Sequence, residues 1–283
     1  MATVFDVDGE VDVAETRKLA RYLVEHGSHG VVVSGTTGES PTLEDEEKLE
    51  LLEAVLTEIG DEATVIFGSG SNDTRHSIEL TKAGAQAGAH ASLIATPYYN
   101  LPNRAGITGH FEAVAAADSN LPMVLYNVPT RTVVNMPPDL LAELATIDNV
   151  VAVKQANDSE LQAIPGLDLL AGNDGVFLAS LKLGGTGGIL VASHIAGDGM
   201  RKVWDLFQAG DVAGSQELDN SLKPVYAAMG VTINPIPVKA ALEMAGCCPA
   251  TMRLPMVEAT EEEKAEIRTL IEQAGINLPR VTS

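Results

Sequence analysis

"NVVAVKQA", Asn149 to Ala156, decides the fold. Its apolar residues run unbroken from Val150 to Val153, where a strand with one face in water would alternate. An unbroken Val-rich run marks a strand buried on both faces, which implies a parallel sheet covered by helices. Lys154 ends the run, and an ammonium is among the least welcome groups in such a place.

Comparable runs lie on both sides. They are "ATVF" (2–5), "GVVVSG" (30–35), "ATVIFGSG" (63–70), "ASLIATP" (91–97), "PMVLYNVP" (122–129), "LDLLAG" (167–172) and "GGILVAS" (187–193). Between them stand segments with apolar residues three and four apart, such as "AETRKLARYLVEH" (14–26) and "EDEEKLELLEAVLTEI" (44–59). Ser, Thr or Asp in "SPTLEDEE" (40–47) and "SNDTRHSIEL" (71–80) suits helix caps. Eight strand runs alternating with helices predict a (β/α)8 barrel of the α/β class. An open doubly wound sheet would carry a Gly-rich turn after its first strand, and none follows "ATVF".

From Gly199 the sequence reads as helix upon helix, and the 85 residues to Ser283 exceed one barrel helix. The expected division is a barrel core over 1–198 and a C-terminal helical bundle over 199–283, packed on the barrel. Met1 stands almost inside the first strand, so either that strand is short or residues precede it.

The net charge of −21 argues against nucleic acid or an anionic membrane as partner. It also requires a locally basic pocket for any anionic substrate. No apolar run approaches the roughly 18–20 residues of a membrane span and no signal segment opens the chain, so the cytoplasm is the expected compartment. Cys247 and Cys248 are adjacent, which suits neither a relaxed disulfide nor a zinc site. The six histidines are scattered, so neither metal nor other cofactor is expected.

Barrel enzymes place reactive groups where strands end. Those ends here are "GTTGES" (35–40), "TPYYN" (96–100), "YNVPTRT" (126–132), Lys154, "AGND" (171–174) and "GGTGGILVAS" (184–193). A lysine facing a barrel interior loses hydration, which favours the neutral amine that attacks ketones and aldehydes. The alternative is a strand-end lysine with its ammonium in solvent or an ion pair. Schiff-base chemistry moves protons to and from a carbinolamine, and Tyr and Thr hydroxyls relay them without adding charge. "GTTGES" reads as a tight turn with backbone N–H groups free for a carboxylate, or as an ordinary turn with Ser40 or Thr42 capping the next helix. Arg131 is either a guanidinium suited to a substrate carboxylate or a surface arginine.

Together, "GTTGES", "TPYYN", "YNVPTRT", the lysine of "VAVKQA" and "LGGTGGILVAS" resemble the dihydrodipicolinate synthase / N-acetylneuraminate lyase superfamily over nearly the whole chain. Within it the chain is most similar to the synthase branch, whose reaction condenses pyruvate with L-aspartate 4-semialdehyde in lysine (diaminopimelate) biosynthesis. The resemblance implies a Schiff base on Lys154 and a proton relay of Thr36, Tyr126 and Tyr99, with Tyr99 reaching into a neighbouring subunit. It implies that Thr37 binds the pyruvate carboxylate through its N–H and that Arg131 receives the semialdehyde's carboxylate. Gly172 and Ile189 line the pocket with backbone groups, and the assembly is a homotetramer built as a dimer of dimers. A sugar-acid aldolase would keep the lysine but carry a small apolar residue in place of Arg131. A non-catalytic keto-acid-binding barrel is the third alternative.

The chain departs from the family in four places. Gln155 stands where Glu is common, and its side chain is expected to point away from Lys154. Val133 replaces a glycine and takes a positive φ only at a cost, so a different loop is expected there. His194 replaces a smaller polar residue and is expected to donate a supporting hydrogen bond. "MATVF" resembles a truncated start, because family members begin with several more residues in the first strand. At the family's lysine-inhibitor site, Ser40, Asn72 and Tyr98 remain, while Lys48 brings a cation and His76 removes an anion. Weak or absent feedback by lysine is the expectation.

Overall fold

The computed structural model describes residues 1–276. In chain order its main elements are α1 (Val13–Glu25), β1 (Gly30–Val33), α2 (Asp45–Ile59), β2 (Thr64–Gly68), α3 (Thr74–Ala87), β3 (Ala91–Ala95) and α4 (Arg104–Ala115). There follow β4 (Met123–Asn127), α5 (Pro129–Thr132), α6 (Pro138–Leu144), β5 (Val150–Gln155), β6 (Asp168–Ala171), α7 (Phe177–Lys182) and β7 (Gly187–Gly188). Four helices close the described chain: α8 (Ser193–Gln208), α9 (Val212–Ala228), α10 (Ile236–Met244) and α11 (Glu261–Gln273). The strands form one seven-stranded sheet in sequence order, β1 to β7, and the pairs from β2 to β7 are parallel.

The chain divides into two compact units, Val65–Leu190 and Met1–Thr64 with Val191 onward. In the first, Ile94, Leu125, Val153 and Leu169 occupy one register row of the sheet. This row packs into an apolar core with Phe111 and Val114 of α4 and Leu140, Leu141 and Leu144 of α6. Burying such side chains is worth about 1.5–3 kcal/mol each and fixes which sheet face the helices cover. In the second unit α1 packs on α2, α8 on α9, and α11 on α9 and α10. Leu51, Leu52, Val203, Leu222, Val238, Leu242 and Ile267 are buried there.

"ATVF" is not a strand of this sheet. Residues 1–5 are buried, but beyond an isolated antiparallel bridge from Phe5 to Val11 they form no ladder. Their donors go elsewhere: the Met1 ammonium to the Val32 carbonyl (2.7 Å), Ala2 N–H to His194 Nε2 (3.1 Å) and Val4 N–H to Thr16 Oγ1 (3.1 Å). A buried N–H needs a partner but not a strand partner, and side chains supply two of these three. The last run, "GGILVAS", yields only two strand residues before α8, which departs from helical angles at Ala196.

The caps follow expectation in part. The Asp73 carboxylate accepts from Arg75 N–H at the start of α3. Neither Ser40 nor Thr42 caps α2; a capping box of Glu44 and Glu47 does so, and Thr42 Oγ1 donates to the Glu39 carbonyl instead.

Candidate active site

Adjacent parallel strands place paired residues on the same face. Tyr126 of β4 is paired with Lys154 of β5, with Ala95 beyond the tyrosine and Leu170, then Gly187, beyond the lysine. This row neighbours the helix-covered row along each strand, so it projects to the opposite face. Lys154 Nζ lies 4.2 Å from the Tyr126 ring centroid. Tyr126 is 7% exposed and Lys154 half-buried. Among the described residues no carboxylate forms an ion pair with Lys154. The ring face attracts the ammonium form, and with no carboxylate partner among the described residues the nitrogen is open to a carbonyl once it gives up its proton.

Gln155 points to the other face. Its Oε1 accepts from Asn127 Nδ2 and from Asn157 N–H, both at 3.0 Å, and it is 1% exposed. Asn127 in turn bonds Asn135 Oδ1 and the Met136 backbone. Gln155 thus makes these contacts on the face away from Lys154.

Gly172 and Ile189 stand where β6 and β7 end. Both N–H groups are engaged, Gly172 with the Gln155 carbonyl (2.8 Å) and Ile189 with the Ala171 carbonyl (2.9 Å), so only their carbonyls are open to a ligand. A Cβ on Gly172 would stand 2.7 Å from the Gln155 oxygen and 2.8 Å from Ala156 Cβ, which explains the glycine.

Arg131 is exposed on the short helix that follows β4. The loop after it contradicts expectation: Val133 does take a left-handed φ of 64° and is 74% exposed. Its N–H closes the helix onto the Pro129 carbonyl, which holds the strained residue in place. Tyr99 is also left-handed, at φ 69°, and 88% exposed, with Tyr98 beside it 37% exposed. Asn100 Nδ2 anchors this loop to the Asn72 carbonyl at 2.7 Å, and His76 Nδ1 is 3.3 Å from Ser71 Oγ.

Thr36 and Thr37 belong to the other unit, in the turn after β1. Gly38 N–H and Ser40 N–H close onto the Gly35 carbonyl and Glu39 N–H onto the Thr36 carbonyl. The N–H groups of Thr36 and Thr37 are taken by no backbone carbonyl among the described residues. Thr37 Oγ1 accepts from Asn234 Nδ2 at 3.1 Å. Lys48 is 7% exposed and paired with Asp45 at 2.9 Å, so its charge is already compensated. His194 is 3% exposed; Nδ1–H donates to the Val191 carbonyl (2.8 Å) while Nε2 accepts from Ala2. It is the expected donor, and it also tethers the first residues of the chain.

A cluster of charged side chains adjoins this turn. Glu39, at φ 53°, and Lys239 of α10 form a buried ion pair with side chains 2% and 1% exposed. Lys239 also donates to the Thr251 carbonyl at 2.8 Å, and Arg253 N–H reaches Glu39 Oε2 at 3.3 Å. Burial lowers the Lys239 pKa, and the Glu39 carboxylate opposes that shift. Arg253 grips Glu47 with two bonds of 2.6 and 2.7 Å, which hold the Glu47 carboxyl below its usual range. The sequence signal for Lys239 was present: "IPVKAAL" sets a lysine in an apolar run, as "VAVKQA" does. Among the described residues no cluster of three or more His, Cys, Asp or Glu side chains could hold a metal ion.

The sequence pattern of the Dihydrodipicolinate synthetase family matches residues 1–274. The chain belongs to the dihydrodipicolinate synthetase family. Relatives named 4-hydroxy-tetrahydrodipicolinate synthase include those of Desulforudis audaxviator, 43% identical over 98% of this chain and 96% of theirs, and Moorella thermoacetica, 44% over 98% and 97%. Among solved structures, DHDPS from Cyanidioschyzon merolae with lysine bound superposes with a TM-score of 0.94 at 37% identity, covering 98% of this chain and 97% of that one. The chloride-inhibited dihydrodipicolinate synthase from Acinetobacter baumannii complexed with pyruvate gives 0.94 at 35%, with 98% and 97% covered. The fold is therefore the α/β TIM-barrel type of the dihydrodipicolinate synthetase family.

Proposed function

We propose that this member of the family is a 4-hydroxy-tetrahydrodipicolinate synthase, condensing pyruvate with L-aspartate 4-semialdehyde. The observation that carries it is the Lys154–Tyr126 pair, an amine 4.2 Å from a buried phenol ring on the sheet face that the helices leave open. Lys154 Nζ attacks C2 of pyruvate and water leaves to give the imine. Loss of a C3 proton gives the enamine, whose C3 bonds to the aldehyde carbon of the semialdehyde. The semialdehyde's own amine then displaces Lys154 at C2 and closes the ring. Tyr126, Thr36 and Tyr99 relay the protons, Thr37 N–H takes the keto acid's carboxylate, and Arg131 takes that of the semialdehyde. The carbonyls of Gly172 and Ile189 line the site.

The extreme exposure of Tyr99 supports a homotetramer, a dimer of dimers, in which it serves a neighbouring copy. No described helix is long and apolar enough to cross a membrane, and the cytoplasm is proposed as the compartment. The division into a barrel core over 1–198 and a helical extension beyond it belongs to the same reading. A relative holds lysine, but here Lys48 is compensated by Asp45 and the case for weak feedback rests on His76 in place of an anion.

Borohydride reduction in the presence of pyruvate tests the reading. The expected result is one reduced pyruvyl group on Lys154, absent from Lys154→Ala, with turnover of aspartate semialdehyde and no cleavage of sugar acids. A protein that gives no adduct would refute Schiff-base catalysis altogether.

A further inference from the structure

The Thr36–Thr37 turn is held in an unfavourable shape. Ser34 and Glu39 bracket it at φ 56° and 53°, in the left-handed region that residues with a Cβ rarely adopt. Its internal hydrogen bonds occupy the N–H groups of Gly38, Glu39 and Ser40 but leave those of Thr36 and Thr37 without a backbone acceptor. Two neighbouring N–H groups with no backbone acceptor among the described residues, in a strained turn, make a concavity for an anion. Something outside the turn must keep it so.

The segment Asn234–Lys239 supplies two of the restraints, beside the Thr3 hydroxyl on the Gly38 carbonyl and Arg253 N–H on Glu39. Asn234 Nδ2 engages the Thr37 hydroxyl at 3.1 Å, and Lys239 binds the Glu39 carboxylate at the far end of the turn. Lys239 is itself fixed by the Thr251 carbonyl and by the Phe5 ring, whose centroid is 4.3 Å from Nζ. A buried ion pair generally stabilises a fold no better than apolar residues of the same size, so stability alone does not account for one here. Position does.

We propose that Glu39, Lys239 and Asn234 are positioning residues for the keto acid: by clamping the Thr36–Thr37 turn they keep its N–H groups directed at the substrate carboxylate. The inference rests on the function proposed above, in which Thr37 N–H binds that carboxylate.

The test is borohydride trapping on the full chain at graded pyruvate, comparing wild type, the double variant Glu39→Gln/Lys239→Met, Lys239→Arg and Asn234→Ala. The double variant removes both charges at nearly constant volume. The pyruvate concentration giving half-maximal adduct should rise about tenfold in the double variant and in Asn234→Ala, as expected when one charge-assisted hydrogen bond is misaligned. Adduct at saturating pyruvate should persist, and Lys239→Arg should stay near wild type. A purely structural role would lower the melting temperature and leave half-saturation unmoved, and that result in folded variants overturns the inference. If the double variant does not fold, Asn234→Ala, which alters no charge, decides by the same comparison. Absence of any adduct on the wild type overturns the proposed function and this inference with it; an adduct whose pyruvate dependence is unchanged overturns the inference alone.

Discussion

Acidification should weaken this protein through His194, by an amount the structure allows to be worked out. The imidazole is 3% exposed and both ring nitrogens are committed to its neutral form: Nδ1–H donates to the Val191 carbonyl and Nε2 accepts from Ala2 N–H. A second ring proton would confront that N–H and the nearby Met1 ammonium. Burial first, and the Met1 charge second, lower the pKa from 6.5 to about 3. Between those values the unfolded chain binds a proton that the folded chain refuses, so stability falls as pH falls. The loss begins near 6.5 and is complete near 3. At pH 5 it reaches about 2 kcal/mol, from 1.36 kcal/mol per pH unit over 1.5 units. Chemical denaturation of wild type and His194→Asn at pH 8, 6.5 and 5 measures it. The contribution of His110, which burial lowers to about 4, and of Glu47 and Glu58, held low by arginines, is common to both proteins and cancels. The difference between the two should shift by about 2 kcal/mol between pH 8 and 5. Parallel pH curves would refute the argument. The consequence reaches the site, because Thr3 in the tethered segment donates to the Gly38 carbonyl of the Thr36–Thr37 turn at 2.7 Å.

Three more outcomes are expected. Gly172→Ala forces a Cβ against the Gln155 carbonyl one residue from Lys154; it should cost about 1–3 kcal/mol and slow adduct formation, while Gly175→Ala, with nothing within 4 Å, should do neither. Val133→Gly relieves an exposed left-handed residue and should raise stability by about 0.5–1 kcal/mol in denaturant titration; a loss would mean the valine makes contacts of its own. Titrating turnover with L-lysine should give half-inhibition only above about millimolar concentration, or ~4 kcal/mol of binding, and tighter inhibition would sink the argument from His76.

Much of the fold is legible because apolar periodicity is a local property. Seven strand runs and the helices between them follow from which residues need burial, and "NVVAVKQA" alone implies a covered parallel sheet. "ATVF" misleads for a physical reason: a short buried apolar run demands partners for its N–H groups, and Thr16 and His194 meet that demand from distant positions. Val133 misleads similarly, since a local penalty is outweighed by the hydrogen bond that closes the helix before it.

The site divides along the same line. Sequence by itself determines that Lys154 sits at the end of a dry strand and that hydroxyls, glycines and an arginine stand at other strand ends. It does not distinguish Lys154 from Lys239, which presents the same anomaly of a lysine in an apolar run. Tertiary structure separates them by their partners: Lys239 is buried against the Glu39 carboxylate, whereas Lys154 lies beside the Tyr126 ring and pairs with no carboxylate among the described residues. A lysine's chemistry is set by the charge nearest its nitrogen, and that charge comes from residues up to 200 positions away in sequence.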